Sequence, residues 1–147
     1  MADIVGGMTE RLLVDAGISP GMRVLDVGCG RGDVSLMAAR LVGEIGQVLG
    51  VDRDPNPLVM ARERGREFGL SNIAFAEDDL CALSPEYGTF DAIVGRRVLM
   101  YQSNPAHAIR SLARALRPGG LVVFQEHDAT MTPGRLTPLP LHERVQG

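Results

Sequence analysis

Arg23-Val-Leu-Asp-Val-Gly-Cys-Gly-Arg-Gly-Asp33 is the stretch on which the reading of the whole chain turns. Val24, Leu25 and Val27 form an apolar run that ends at glycines on alternate positions, Gly28, Gly30 and Gly32. A helical pattern begins at once, with Asp33 as its N-cap, so the order is strand, glycine turn, helix. Glycine lets backbone approach a ligand closely, and a helix start offers N–H groups that have no intrahelical partner. Asp26, two residues before the first glycine, is an acid in a run that otherwise reads as buried. It falls at the carboxyl end of the strand, where open α/β sheets bind ligands. A carboxylate there suits a cationic group on a ligand or a hydrogen bond to the glycine loop.

Working outward, Thr9 to Ala16 reads as a short amphipathic helix ended by Gly17, and Pro20-Gly21 as a turn. Downstream, Val34, Met37, Ala38 and Leu41 share one face of a helix over 33–42. Gln47 to Asp52 is a second strand that ends in an acid. Asn56-Pro57 opens a second long helix that stops at Gly69. Ile73 to Glu77 is a third strand, followed by Asp78 and Asp79. Phe90 to Gly95 is a fourth, after a loop or short turn over 84–88. Asn104-Pro105 starts a helix lined by Ile109, Leu112, Ala113 and Leu116. Pro118-Gly119-Gly120 then turns the chain into a fifth strand, Leu121 to Gln125, ending at Glu126-His127-Asp128. Strands apolar on both faces, alternating with amphipathic helices, predict an α/β fold with a parallel sheet covered on both sides. From Ala129 onward Pro133, Pro138 and Pro140 interrupt any period, so 1–128 reads as the core and 129–147 as a loop or tail.

The size of 147 residues fits one domain. A net charge of −3 argues against a phosphate-tracking nucleic-acid partner. Every basic residue is arginine, which excludes a lysine Schiff base, a P-loop lysine or a lysine base within the chain. The two cysteines, Cys29 and Cys81, have neither disulfide nor metal spacing, which fits a reducing cytoplasm. No run is apolar enough for a membrane helix, and the start lacks a signal-peptide pattern.

The glycine spacing is G-x-G-x-G, not the G-x-G-x-x-G of dinucleotide binders, and so favours a ligand without a pyrophosphate. Asp52 sits where a carboxylate accepts both hydroxyls of a ribose, beside Arg53. Asp79, with Leu80 next, is placed to accept an adenine amine while the Leu80 N–H reaches a ring nitrogen; Asp78 is the competing acid. Each has a plainer alternative as a solvated loop acid.

Together these residues resemble the class I S-adenosylmethionine-dependent methyltransferases. Val24-Leu-Asp-Val-Gly-Cys-Gly-Arg-Gly32 looks like that family's first motif, and Val51-Asp52 like the acid after strand two. Phe75-Ala-Glu-Asp-Asp79-Leu80 is similar to the motif that ends in the adenine-binding acid. Phe90 to Met100 resembles the strand-four motif, and Leu116-Arg-Pro-Gly-Gly120 the turn before strand five. The resemblance covers about residues 8 to 128. It implies a Rossmann-like three-layer α/β/α fold with sheet order 3-2-1-4-5. It implies S-adenosyl-L-methionine as cofactor, and methyl transfer to an N, O, C or S atom of a small molecule.

On the same basis Asp26, Gly28, Cys29, Gly30, Gly32, Asp52, Arg53, Asp79 and Leu80 are expected to line the cofactor. Gly95 and Arg96 are expected to border its methionine part. Arg96 is either a partner for the methionine carboxylate or a surface arginine. His127 is the one histidine placed to act as a base, with a structural role as the alternative. His107 reads as a helix-surface residue, and His142 falls in the tail. Gly95-Arg96-Arg97 stands where metal-dependent relatives carry acids, so no metal is expected.

The chain departs from the family after strand five, where the final antiparallel strand pair is expected to be absent. The resulting apolar strand-five edge has three readings: a partial chain, the favoured one, cover by a second copy, or cover by the tail folding back. Two competing functions stay open: a nicotinamide-dependent oxidoreductase, and a non-catalytic cofactor-binding or oligomerising fragment.

Overall fold

The structure, a computed structural model, describes residues 4–127 and 136–138, with side chains over 7–126. The elements are α1 (Ile4–Ala16), β1 (Arg23–Val27), α2 (Asp33–Val42), β2 (Gln47–Asp52), α3 (Pro55–Glu67), β3 (Ile73–Glu77), β4 (Phe90–Arg96), α4 (Pro105–Ala113), β5 (Leu116–His127) and β6 (Leu136–Pro138). The sheet order is β3-β2-β1-β4-β5-β6. The first five strands are parallel, in the order 3-2-1-4-5 that the sequence predicts.

Strand alternation divides the core. Val24, Ala92, Val94 and Val123 face α1 and α2, where Leu13, Val34, Ala38 and Val42 meet them. Their neighbours Leu25, Ile93, Val122 and Phe124 face the other way, against Ala108 and Leu112 of α4. A third cluster under α3 joins Leu58, Ala61, Phe75 and Cys29. Burial on both faces is why the strands read as continuous apolar runs.

Four local readings change. Asp33 is the first residue of α2 rather than its cap; Gly32 takes the cap position in a left-handed conformation, and no side chain caps it. α3 starts at Pro55 because the Asp54 carboxylate accepts the Asn56 N–H at 3.0 Å, ahead of the expected Asn56 cap. α4 ends at Ala113, since β5 already begins at Leu116. There Phe90 pairs with Leu116 and Ala92 with Leu121, so Arg117 to Gly120 is looped out as a bulge. Asp91 pins the bulge by accepting from the Arg23 N–H at 2.7 Å and from the Arg117 guanidinium. A Cβ on Gly120 would meet Leu116 at 2.7 Å and the Asp91 carbonyl oxygen at 2.9 Å, which accounts for the second glycine of the turn.

The fourth difference lies past strand five. An antiparallel pair was expected to be missing and the tail to be loop. Among the described residues one short antiparallel strand, β6, pairs with Gln125–His127 of β5. An unpaired strand edge is a template for a further strand, and an edge position tolerates Pro138 because its missing N–H need not face the ladder. The rest of the expected tail lies outside the described residues.

Beneath the glycine turn, Asp26 is 1 % exposed and accepts the Ser35 hydroxyl at 2.6 Å. This ties β1 to the first turn of α2. Burial pushes the Asp26 carboxyl up to about 7; Ser35 and Arg96 offset part of that rise. The unfolded acid ionises in the ordinary carboxylate range, so the folded state holds the extra proton between that range and pH about 7. Stability from this group is therefore full in acid and is lost as pH rises through about 7. Compared with Asp26→Asn, wild-type stability should fall by about 1.4 kcal/mol per pH unit across that window. Urea unfolding across pH checks this, and parallel curves would contradict it.

Phe90 is 1 % exposed, with the Arg23 guanidinium 4.1 Å from its ring centroid. Phe90→Ala should lower unfolding free energy by about 3–5 kcal/mol. Val59→Ala, at a 58 % exposed site, should change it by less than about 0.5 kcal/mol.

Candidate functional site

All three glycines of the turn have positive φ, 65° at Gly28, 54° at Gly30 and 88° at Gly32. Their surroundings differ. A Cβ on Gly28 would strike Val98 at 2.9 Å, and one on Gly32 would meet the Phe75 ring at 3.1 Å. A Cβ on Gly30 would meet nothing within 4 Å. Two of the glycines are thus required by packing, while the middle one borders open space. Cys29 donates its N–H to the Val51 carbonyl at 2.9 Å and turns its side chain into the α3 cluster. Burial pushes its thiol well above the ordinary range, so the thiol stays protonated and inert.

Asp52 joins the ends of β1 and β2. Its Oδ2 accepts the Gly30 N–H at 2.8 Å and its Oδ1 the Asp54 N–H at 3.0 Å. Arg53 follows, exposed. Beyond β3 the two acids separate in role. Asp78 accepts N–H bonds from Asp79 at 2.7 Å and Ser84 at 3.1 Å, and a bond from the Tyr87 hydroxyl. Desolvation raises its carboxyl, but these bonds more than offset that and hold it below the usual range. Burial and Asp78 together push Tyr87 up to about 12. Asp79 is exposed and accepts only the Cys81 N–H, at 2.9 Å, through Oδ1. Asp78 therefore builds the loop, and Asp79 presents an oxygen to solvent.

At the end of β4, Gly95 is demanded by the sheet, since a Cβ there would lie 2.6 Å from the Phe124 ring. Arg96 is not a free surface arginine. It pairs with Asp33 at 3.3 Å and donates to Thr9 Oγ1 at 3.4 Å, while Arg64 holds the other Asp33 oxygen at 2.6 Å. Desolvation raises the Asp33 carboxyl, but the two arginines lower it by more. His127 closes β5, and its side chain lies outside the described residues, as do Asp128 and His142. His107 is exposed on α4.

Arg97 and Glu126 are not among the cofactor-lining residues expected from the sequence. Arg97 has φ 56°. Glu126 is 8 % exposed, and its carboxylate accepts the N–H groups of Val98 at 3.1 Å and Met100 at 2.7 Å. It thereby holds the 3-10 turn Leu99–Tyr101. The signal available for Glu126 was an acid at the end of a buried strand, which needs partners. Nothing in the sequence marks the backbone of Arg97.

These elements enclose a cleft of about 270 Å³ at the carboxyl ends of the strands, lined by Gly28, Asp52, Arg53, Leu80, Arg97 and Tyr101 among others. A larger hollow of about 370 Å³ lies at the amino ends, beside Arg23, Gln47, Asn72 and Phe90. It holds none of the strand-end acids, whereas Asp52 and Asp78 both line the smaller cleft. Among the described residues, no cluster of three His, Cys, Asp or Glu side chains could hold a metal ion, and no helix is long and apolar enough to cross a membrane.

The family model described as a methyltransferase domain matches residues 18–145. The chain is 35 % identical over 132 residues to the ubiquinone/menaquinone biosynthesis C-methyltransferase UbiE of Cellvibrio japonicus, covering 86 % of this chain and 53 % of that one. Among solved structures, an arsenic(III) S-adenosylmethionine methyltransferase from Chlamydomonas reinhardtii is 31 % identical with a TM-score of 0.64, covering 73 % of this chain and 39 % of that one. The [4+2]-cyclase SpnF is also 31 % identical, with a TM-score of 0.74, covering 86 % and 47 %. The chain spans about half the length of the curated relatives it matches. With residues 18–145 matched and the parallel order 3-2-1-4-5 in place, the chain belongs to the methyltransferase-domain family.

Proposed function

We propose that this chain is the S-adenosyl-L-methionine-binding core of an enzyme that transfers a methyl group to a small-molecule acceptor. The observation that carries this is the junction at Asp52, whose carboxylate faces the cleft while fastening the open Gly30 position. The carboxylate acceptors suit an adenosine carrying a cationic sulfonium. Asp52 keeps lone pairs for the ribose hydroxyls, and Asp79 has an oxygen open to an adenine amine. Leu80 supplies an apolar wall, and Arg53 borders the same edge. The backbone of Gly28, Cys29 and Gly30 forms the floor, with Gly32 turning the chain into α2 and Asp26 supporting it from below. Gly95 and Arg96 border the methionine end, where Arg96 acts through its pair with Asp33. The cofactor supplies an activated methyl group on sulfur. The chain's own part is to position the acceptor in line and exclude water, the dominant contribution when the electrophile is already reactive. His127 is retained as the one candidate base, on its place at the end of β5.

In this reading residues 1–128 form the cofactor core, followed by a proline-containing segment from 129. The unpaired thiols Cys29 and Cys81 suit a cytoplasmic setting. Pairing of two copies through the β5 edge competes with β6 for the same groups. The likeness to a [4+2]-cyclase favours one second reading, a cofactor-binding scaffold put to other chemistry on the same fold.

Calorimetric titration with S-adenosylhomocysteine tests the proposal, with NAD as the contrasting ligand. Binding of the first and no response to the second is expected; the reverse would end the methyltransferase reading. Asp52→Ala should weaken S-adenosylhomocysteine binding by about 1–3 kcal/mol. Asp79→Ala should weaken it without changing stability, whereas Asp78→Ala should lower stability. Unchanged affinity in the first two variants would remove both acids from the site.

A further inference from the structure

Arg97 is the only non-glycine residue with positive φ among the described residues. An arginine held there costs energy that the surrounding structure must supply, and such positions gather at functional sites. The source of that energy is visible. The Arg97 N–H donates to the Gln125 carbonyl at 2.8 Å, and the next N–H groups, of Val98 and Met100, go to the buried Glu126 carboxylate. The end of β5 thus grips three N–H groups within four residues.

This grip presents an unusual surface. Arg97 lines the cleft and is exposed, and among the described residues its guanidinium makes no hydrogen bond or ion pair. Its neighbour Arg96, in contrast, is tied to Asp33. On the turn that follows, Met100 is 42 % exposed and Tyr101 74 % exposed, and Tyr101 lines the same cleft as Arg97. If the cleft holds a sulfonium, as proposed above, an unpaired guanidinium on its lip adds like charge, which an anion alongside would relieve. Guanidinium pairs with carboxylate and phosphate in a fork geometry.

We propose that Arg97 is a specificity-determining residue that binds a carboxylate or phosphate on the methyl acceptor, whose apolar body rests on Met100 and Tyr101. The inference rests on the methyl-transfer reading. Glu126 is a positioning residue in it, acting through the backbone of the turn.

The test uses the full chain saturated with S-adenosylhomocysteine, followed by NMR during titration with benzoate and with its uncharged twin, benzamide. Benzoate should shift the Arg97 side-chain N–H and the Val98 and Met100 amides, and should bind at least about tenfold more tightly than benzamide. Arg97→Gln, and Arg97→Gly, which tolerates the left-handed backbone, should abolish that preference. Both should still bind S-adenosylhomocysteine saturably. Equal binding of the two probes, no saturable benzoate binding, or undiminished preference in both variants would overturn the proposal. A parallel loss of S-adenosylhomocysteine affinity in both variants would also overturn it, by assigning Arg97 to the cofactor's own carboxylate. Failure of the wild-type chain to bind S-adenosylhomocysteine would instead bring down the methyl-transfer reading itself.

Discussion

The hydrogen bond from the Gly30 N–H to the Asp52 carboxylate holds together what the ladder between β1 and β2 leaves open. Parallel strands end in loops that leave in different directions, and nothing in the ladder fixes how far apart those loops stand. Asp52 fixes it. The carboxylate joins the middle of the glycine turn to the start of the β2 loop, where its second oxygen takes the Asp54 N–H and Asp54 in turn caps α3. One acid thus positions a turn, a loop and a helix. The Asp78 N–H bond to the Asp52 carbonyl extends the same line to β3.

The far side of the cleft is built by different means. Between β4 and β5 there is no glycine turn, and the chain leaves β4 through the left-handed Arg97. The buried Glu126 carboxylate takes over, gripping the backbone after the strand much as Asp52 grips the turn after β1. Both devices put an acid at the carboxyl end of one strand and use it to hold the loop of its neighbour. They differ in what remains: Asp52 faces the cleft, whereas Glu126 is buried and fully engaged with the turn.

Much of this was legible in the sequence because it rests on residue types that permit few alternatives. Three spaced glycines at the end of an apolar run define a turn, and the bounds of β1, α2, β2 and β3 follow from hydrophobic patterning. Geometry invisible to patterning was lost. The bulge over 117–120 belongs to β5 because Asp91, on another strand, pins it. Arg96 is committed to Asp33, which required knowing that α2 starts beside β4. The packing that requires Gly95 comes from Phe124 and Val27, on other strands. The division of labour between Asp78 and Asp79 depends on Ser84 and Tyr87, residues of a loop with no pattern of its own.

On the proposed function, the glycine turn, Asp52 and Asp79 form one cofactor-binding surface, and the larger hollow at the amino ends of the strands takes no part. Amide chemical-shift mapping during titration of the full chain with S-adenosylhomocysteine tests this most directly. Saturable shifts centred on Gly28 to Gly32, Asp52 and Asp79-Leu80 are expected. Shifts centred instead on Arg23, Gln47 and Asn72, or no saturable shifts, would contradict the account.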